Sequence, residues 1–254
     1  FMANSFLTRS LGFHRGFQHW INPDEHRPHP LAIQGFTSDL HRRDGTEVMD
    51  DALEWLDDAP EQGWLLWVHL FDPHLPHSHS PDSPSQALQD IYEVREGRVE
   101  LTPEQMAAFA ESYEAEVAYT DAQVLRLLDA LDARGFWSHG TLVFTADHGE
   151  ELWDHGGFEH GHSHHGEVVD VPLALVSPGL DPGRRESLAS LVDIAPTLAA
   201  ITDLAQPTGL DLRGEIPPDR IATAAGNFYG LEQRSARSLE TRVILTDHPR
   251  QAAA

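Results

Sequence analysis

The sequence contains no cysteine and no lysine among its 254 residues. Without cysteine, the chain can form no disulfide, no thiolate zinc site and no cysteine nucleophile of its own. It also has no apolar run close to the ~20 residues that a membrane-spanning helix requires. We therefore expect no membrane segment within this chain.

Positive charge is also scarce. The 17 basic residues, all arginine, stand against 41 acidic ones, which gives a formal net charge of −24. Such a surface repels phosphate backbones and anionic lipids, so neither nucleic acid nor a membrane is the expected partner. A high-salt environment and a genome that favours arginine would each account for this composition.

Helix-like and strand-like stretches alternate along the chain. Helical spacing of apolar residues predicts helices over 46–56, with Thr46 as N-cap, over 102–134 and over 190–201. Short apolar runs predict four strands, over 64–71, 141–145, 171–176 and 242–246. The order predicts an α/β fold with a layered, largely parallel sheet flanked by helices, as a single domain over residues 1–254.

Two of these elements carry sharper expectations. The run 64–71 is typical of a strand buried on both faces of a parallel sheet. In the helix 102–134, Pro103 fits the first turn, Gly135 fits the C-cap and an apolar face that includes Val117 predicts the buried side. The carboxylates of Glu111 and Glu116 are then expected on the solvated side.

Ionisable residues are concentrated in two loops, 72–79 and 147–165, that follow predicted strands. In parallel sheets ligands bind beyond the carboxyl ends of the strands, so we expect the two loops to converge. Asp147 and His148 offer a carboxylate and an imidazole for a metal, and Gly149 allows the backbone to approach a ligand closely or to take a positive φ. The alternative is that Asp147 caps a helix and His148 is a polar loop residue.

The histidines admit more than one interpretation. A cluster in the second loop could bind Zn²⁺, although a solvated loop with incidental histidines is the favoured reading for most members. These are His155, His160, His162, His164 and His165. In the first loop, prolines stiffen His74, which could donate to an anionic substrate or act as a general acid.

Neighbouring side chains are expected to be structural. His69 is expected to be buried within its strand, and Asp72 to bond nearby turn amides. His77 and His79 are expected at the loop surface. Asp193 is expected to pack at the end of a helix.

Several segments resemble the sulfatase family of the alkaline-phosphatase-like superfamily. WLLWVHLFDPHLPH is similar to the family segment that ends in Pro-His-x-Pro, and TLVFTADHGEELWDHG is similar to its strand followed by Asp-His-Gly-Glu. GHSHHGEVVDVPLALVSPG and LVDIAPTLAAI resemble two later blocks, and SFLTRSLGFHRGFQHW an early one. The segments occur in the family's order and cover nearly the whole chain.

The resemblance implies hydrolysis of a sulfate or phosphate ester at a divalent metal, usually Ca²⁺, with Zn²⁺ or Mn²⁺ as alternatives. Asp147 and His148 would be metal ligands. His74 would contact the sulfate group and protonate the leaving oxygen, and His162 falls where the family has a Lys or His touching the substrate. The implied partner is a small-molecule or glycan sulfate ester, and the implied location is periplasmic or secreted.

The chain also departs from the family pattern. It has no Asp-Asp metal pair followed by Cys/Ser-x-Pro-x-Arg, and none of the family's active-site lysines. Because Phe precedes Met at the start, we expect a fragment that lacks the nucleophile and is inactive in isolation, with residues 226–254 opening a small C-terminal subdomain. Two alternatives are a phosphoryl-transfer relative (a phosphonate or phosphodiester hydrolase, or a phosphoethanolamine transferase) and a non-catalytic binding domain.

Overall fold

Among the described residues, the long helices lie in the N-terminal half of the chain and all the named strands lie in the C-terminal half. The computed structural model describes residues 1–3, 7, 9–21, 43–80, 91–95, 97–202, 204–205 and 207–247. The chain divides into two compact units, Phe1–Phe136 and Trp137–Ala254. The single domain over 1–254 and the subdomain over 226–254 stay predictions. Among the described helices, none has the length and apolar character that crossing a bilayer demands.

The described helices and strands have the following bounds. The helices are α1 (Gly45–Asp58), α2 (Ile91–Arg95), α3 (Pro103–Ala133), α4 (Gly166–Val169) and α5 (Ile194–Ile201). The strands are β1 (Leu142–Thr145), β2 (Glu151–Leu152), β3 (Phe158–Glu159), β4 (Leu173–Val176), β5 (Ala222–Ala225), β6 (Gln233–Arg237) and β7 (Arg242–Thr246).

Helix α1 begins before the predicted start because Asp44, and not Thr46, is its N-cap. The Asp44 carboxylate accepts the Thr46 N–H at 2.7 Å, and the Glu47 carboxylate accepts the Asp44 N–H at 3.1 Å. This capping box satisfies backbone donors that a helix start leaves unpaired. The buried face of α1 forms the core of the N-terminal unit through Val48, Met49, Ala52 and Leu56.

Residues 64–71 do not form the doubly buried strand that their apolar run predicts. The segment pairs with the first residues of the chain through a parallel bridge between Met2 and His69. Leu65 and Trp67 are 62% and 51% exposed, so one face is open. The alternate residues that pack on the core are Leu66, Val68 and Leu70. The apolar composition indicates an extended segment but does not specify whether one or both of its faces are buried.

Helix α3 agrees with the prediction in its bounds but not in its buried face. Thr102 caps it, with Gln105 completing the capping box, and Gly135 follows its end with a φ of 66°. Val117, expected in the core, is 43% exposed, whereas Glu116 is fully buried. The expectation that Glu116 lies on a solvated face is therefore wrong, because distant polar partners cover this side of the helix.

The strands of the C-terminal unit pair in antiparallel fashion. Strand β1 pairs with β4 from Leu142↔Val176 to Thr145↔Leu173, β2 pairs with β3, and β5–β6–β7 form a three-stranded sheet. A layered parallel sheet is thus not what the described residues form. The segment 146–172 starts and ends at the same end of the β1–β4 pair, which makes the two strands antiparallel. Apolar patterning carries no information on this direction.

Asp193 organises the chain around α5 and, as expected, has a structural role. Its fully buried carboxylate pairs with Arg220 through two contacts of 2.7 Å and accepts the Leu210 and Ser190 N–H groups. Burial alone would raise the pKa of Asp193. The Arg220 guanidinium and the backbone donors outweigh this effect and hold the pKa below its ordinary value.

We predict that Asp193→Asn lowers the free energy of unfolding by about 3–5 kcal/mol at neutral pH, because it breaks a buried ion pair. The lowered pKa makes this contribution complete above the pKa of the unfolded carboxyl and removes it as the pH falls through the folded value. Urea unfolding at neutral and strongly acidic pH measures the difference, with exposed Asp181→Asn as control. An equal loss at both pH values would contradict the prediction.

Candidate active site

The loop that follows β1 presents the predicted pair of metal ligands. The Asp147 side chain is 69% exposed, and its Oδ1 accepts the His148 N–H at 3.0 Å. His148 Nδ1 lies 2.9 Å from the Gly149 carbonyl oxygen, so Nδ1 carries the proton and donates it. In a neutral ring Nε2 then keeps its lone pair, 3.7 Å from Asp147 Oδ2. An oxygen and a nitrogen at this separation suit two ligands of one cation.

Gly149 is required by close packing of backbone and not by a positive φ. Its N–H donates to the Val168 carbonyl at 2.7 Å, and a Cβ at this position would overlap the Glu167 carbonyl oxygen. Helix α4 therefore lies directly against the backbone of the Asp-His-Gly turn. The sequence suggested close approach of the Gly149 backbone to a ligand or a positive φ, whereas the close approach found is to the backbone of α4.

The structure brings His160 to the candidate metal pair. The His160 ring stacks on that of His148, with centroids 3.9 Å apart, and its Nδ1 lies 3.0 Å from Glu150 Oε1. Burial raises the pKa of Glu150 to about 8, although the His148 and His162 rings lower it in part. Sequence reasoning gave His160 no role of its own, because its only signal was membership of the histidine cluster.

His162, the residue that the resemblance selects, is held on both sides of its ring. Nε2 lies 2.9 Å from Glu151 Oε2 and Nδ1 3.0 Å from the Tyr229 hydroxyl. Glu151 is buried and also accepts the N–H groups of His155 and Gly157. Burial would raise the pKa of Glu151, but its hydrogen bonds with Gly157 and His162 outweigh this and lower it. Sequence reasoning named neither Glu151 nor Tyr229, the two partners of this ring.

The other histidines of this loop have defined partners, so the loop is not the solvated segment that the favoured reading assumed. His164 is buried, with Nδ1 3.0 Å from the Ser235 hydroxyl and Nε2 3.0 Å from the Gly226 carbonyl oxygen. His155 stacks on His165 and contacts Glu167. These contacts give His164 a structural role in joining the loop to the β5–β6 sheet.

In the N-terminal unit, His74 lies in the Asp72–His79 loop as predicted. Its ring stacks on Phe71 with centroids 4.5 Å apart, and Nδ1 lies 2.7 Å from the Leu75 carbonyl oxygen. The expected surface positions of His77 and His79 are wrong: His77 is buried and His79 is largely buried. The predicted convergence of this loop with the Asp147 loop stays a prediction.

Two groups in the described residues bring three ligand atoms within 4.8 Å of one another: Asp44, Asp72 and His79, and Glu151, His155 and Glu167. In the first group His79 Nε2 lies 2.9 Å from Asp44 Oδ2, which is an ion pair. In the second group, Glu151 already accepts several hydrogen bonds. Asp147 and His148 stay the predicted metal ligands.

Comparison with solved structures identifies the fold. Phosphonate monoester hydrolase SpPMH from Silicibacter pomeroyi superposes with a TM-score of 0.63 at 18% identity, over 80% of this chain and 52% of that one. The two chains thus share a fold. Residues 2–204 match the family model described as Sulfatase. The chain belongs to the sulfatase family, which confirms the resemblance seen in its motifs.

Two curated relatives extend the comparison. Iduronate 2-sulfatase of Homo sapiens is 29% identical over 170 residues, which cover 57% of this chain and 30% of the human protein. The low-salt glycan biosynthesis sulfotransferase Agl7 of Haloferax volcanii is 31% identical over 211 residues, 80% of this chain and 45% of that protein. The chain spans less than half the length of these relatives.

We predict that Glu151→Ala lowers the free energy of unfolding by about 3–5 kcal/mol, because it leaves several buried donors without an acceptor. The His162 ring should lose its fixed orientation at the same time. Urea unfolding and the NMR signals of the His162 ring measure the two effects. Glu186→Ala is the matched control, since the Glu186 side chain is 86% exposed. A loss as small as that of the control would contradict the role of Glu151.

Proposed function

We propose that this protein hydrolyses sulfate esters with the help of a divalent cation that Asp147 and His148 hold in part. The observation that carries the proposal is the His148 ring, whose Nδ1 is tied to the Gly149 carbonyl while Nε2 faces Asp147 Oδ2 at 3.7 Å. The pair follows β1 inside the segment that matches the sulfatase family. Ca²⁺ is our first choice of metal, with Zn²⁺ and Mn²⁺ as alternatives.

The donor set fits such an ion but does not complete its shell. Ca²⁺ takes six to eight oxygen ligands and Zn²⁺ commonly four ligands, so the pair supplies only part of either shell. When bound, the cation polarises the ester oxygens. His160 and His162 are our candidates for imidazole contacts to the anionic group. His160 is supported by its stacking on His148, and His162 by the family motif.

His74 keeps its proposed role of contacting the sulfate group and protonating the leaving oxygen. A ring held between Phe71 and the Leu75 carbonyl supports this role, because a general acid needs a fixed orientation. Its Nδ1 donates to the Leu75 carbonyl, so Nε2 is the nitrogen that would carry the transferred proton. A periplasmic or secreted location is part of the same proposal.

The substrate class is proposed from the relatives. The names of the human and Haloferax proteins refer to iduronate sulfate and to glycan biosynthesis, which supports a sulfated sugar or a small sulfate ester. The net charge of −24 opposes the approach of a highly sulfated polymer at low ionic strength. High salt would screen this repulsion.

A phosphoryl-transfer activity is the second candidate. It is favoured by the structural match to a phosphonate monoester hydrolase, which belongs to the same fold. A non-catalytic binding domain is the third, and it is motivated by the lack of lysine in this sequence, since the family has active-site lysines. The first candidate turns over sulfate esters, the second turns over phosphorus esters, and the third binds a ligand without turnover.

We predict that the chain binds one divalent cation and that His148→Ala or Asp147→Asn weakens binding about tenfold or more, because each removes a ligand. Isothermal titration with Ca²⁺, Zn²⁺ and Mn²⁺ separately measures affinity and selectivity. His139→Ala and Asp181→Asn are matched controls at exposed positions. Unchanged affinity in both ligand variants would remove Asp147 and His148 from the site.

We predict that the full translated gene product hydrolyses 4-nitrophenyl sulfate and that His148→Ala lowers kcat by about a hundredfold or more. The assay compares 4-nitrophenyl sulfate with a phenyl phosphonate monoester and a phosphodiester. Preferential turnover of the phosphorus esters would favour the phosphoryl-transfer candidate. Metal-dependent binding of sulfate without any turnover would favour the binding domain.

A further inference from the structure

The loop that carries His74 is attached to two helices at three points. Asp72 Oδ1 accepts the Gly45 N–H at the start of α1 at 3.0 Å. His77 Nδ1 lies 2.7 Å from the Ser112 hydroxyl of α3, which itself donates to the Phe109 carbonyl, so His77 is the donor. The third attachment is His79, and it differs from the others because it joins both helices through carboxylates.

The buried carboxylate of Glu116 accepts two hydrogen bonds from His79. Oε1 accepts the His79 N–H at 2.7 Å, and Oε2 lies 2.6 Å from His79 Nδ1. The Glu116 side chain has no exposed surface. A carboxylate removed from water in this way requires a positive partner close by. The His79 ring is the cationic group that touches it.

The other nitrogen of the His79 ring also faces a carboxylate. Nε2 lies 2.9 Å from Asp44 Oδ2 at the N-cap of α1. Only the imidazolium donates from both nitrogens, since a neutral ring directs a lone pair at one of the two carboxylates. The ring also lies flat on Tyr119, with centroids 3.5 Å apart, where a cation is favoured by the aromatic face.

We propose that His79 is a positioning residue which, as an imidazolium clamped between Asp44 and Glu116, holds the Asp72–His79 loop and with it His74. The loop is therefore held at this third attachment while His79 is protonated, and it loosens there when His79 loses its proton. What His74 then does to a substrate rests on the proposed function; the clamp itself does not.

The charges around His79 favour its protonated form. Asp44 faces it from α1, Glu116 and the Tyr119 phenol from α3, and Asp72 from its own loop. Arg43, next to Asp44 in the chain, pairs with Asp51 instead. Burial alone would lower the pKa of His79, but the two carboxylates outweigh it and raise it above its ordinary value. The clamp is thus complete below the unfolded pKa and is lost as the pH rises through the folded one.

The test is an NMR pH titration of the histidine rings in the chain, combined with hydrogen exchange. We expect His79 to titrate above the ordinary histidine range. The His74 ring signals should move with the same midpoint. As the pH rises through the His79 midpoint, the exchange protection of the Gly45 and His79 amides, normalised to unfolded-chain rates, should fall about tenfold or more. Titration of His79 at or below its ordinary pKa, or a His74 ring indifferent to that midpoint, would overturn the proposal.

Two variants separate the clamp from ordinary stability. Asp44→Asn keeps an equally good N-cap for α1 while removing one charge, so the His79 midpoint should fall by about one pH unit or more. Glu116→Gln should lower it as well. Asp57→Asn makes the same change at an exposed site of α1 and should leave it unchanged. If Glu116→Gln folds poorly, Asp44→Asn still decides, because an unshifted midpoint there rejects the clamp.

These measurements need no catalysis. A chain in which His79 controls the loop but no ester is hydrolysed would reject the proposed function and keep the clamp. A chain that hydrolyses the ester but whose His79 and His74 signals titrate independently would reject the clamp and keep the proposed function.

Discussion

Carboxylates removed from water are the constraint on which much of this structure depends. A buried carboxylate needs hydrogen-bond donors around it, and a chain without lysine has to supply them from arginine, histidine and backbone N–H groups. Glu116 is served by His79, Glu151 by His162 and two amides, and Asp193 by Arg220 and two amides. The Glu116 and Asp193 clusters join residues far apart in the sequence, and the Glu151 cluster orders the loop that follows β2.

This constraint explains why so many histidines have structural partners. A histidine-rich, glycine-rich loop suggests solvent exposure or zinc, yet His164 is buried between a hydroxyl and a carbonyl group, and His77 donates to Ser112. Two further rings lie at the candidate site. His148 keeps a lone pair toward Asp147, and His160 stacks on it. The candidate site thus differs from histidines such as His164 and His77, whose hydrogen bonds give them structural roles.

Family membership and site geometry support the functional proposal from different directions. The sulfatase match covers residues 2–204, and the fold match to a phosphonate monoester hydrolase places sulfuryl and phosphoryl chemistry on the same scaffold. The fold itself does not choose between them. Whether such a protein acts on sulfate or phosphate esters depends on the metal, on the groups that contact the anion and on the nucleophile.

Much of the architecture could be predicted from local sequence. Thr102, Pro103 and Gly135 mark the ends of α3, β7 has its predicted bounds, and Asp147 and His148 follow a strand, because caps, proline and apolar runs act over a few residues. Only the tertiary structure decided that β1 and β4 are antiparallel, that Glu116 is buried against His79, and that His160 meets His148. These features join residues far apart in the chain, where hydrophobic periodicity specifies neither direction nor partner.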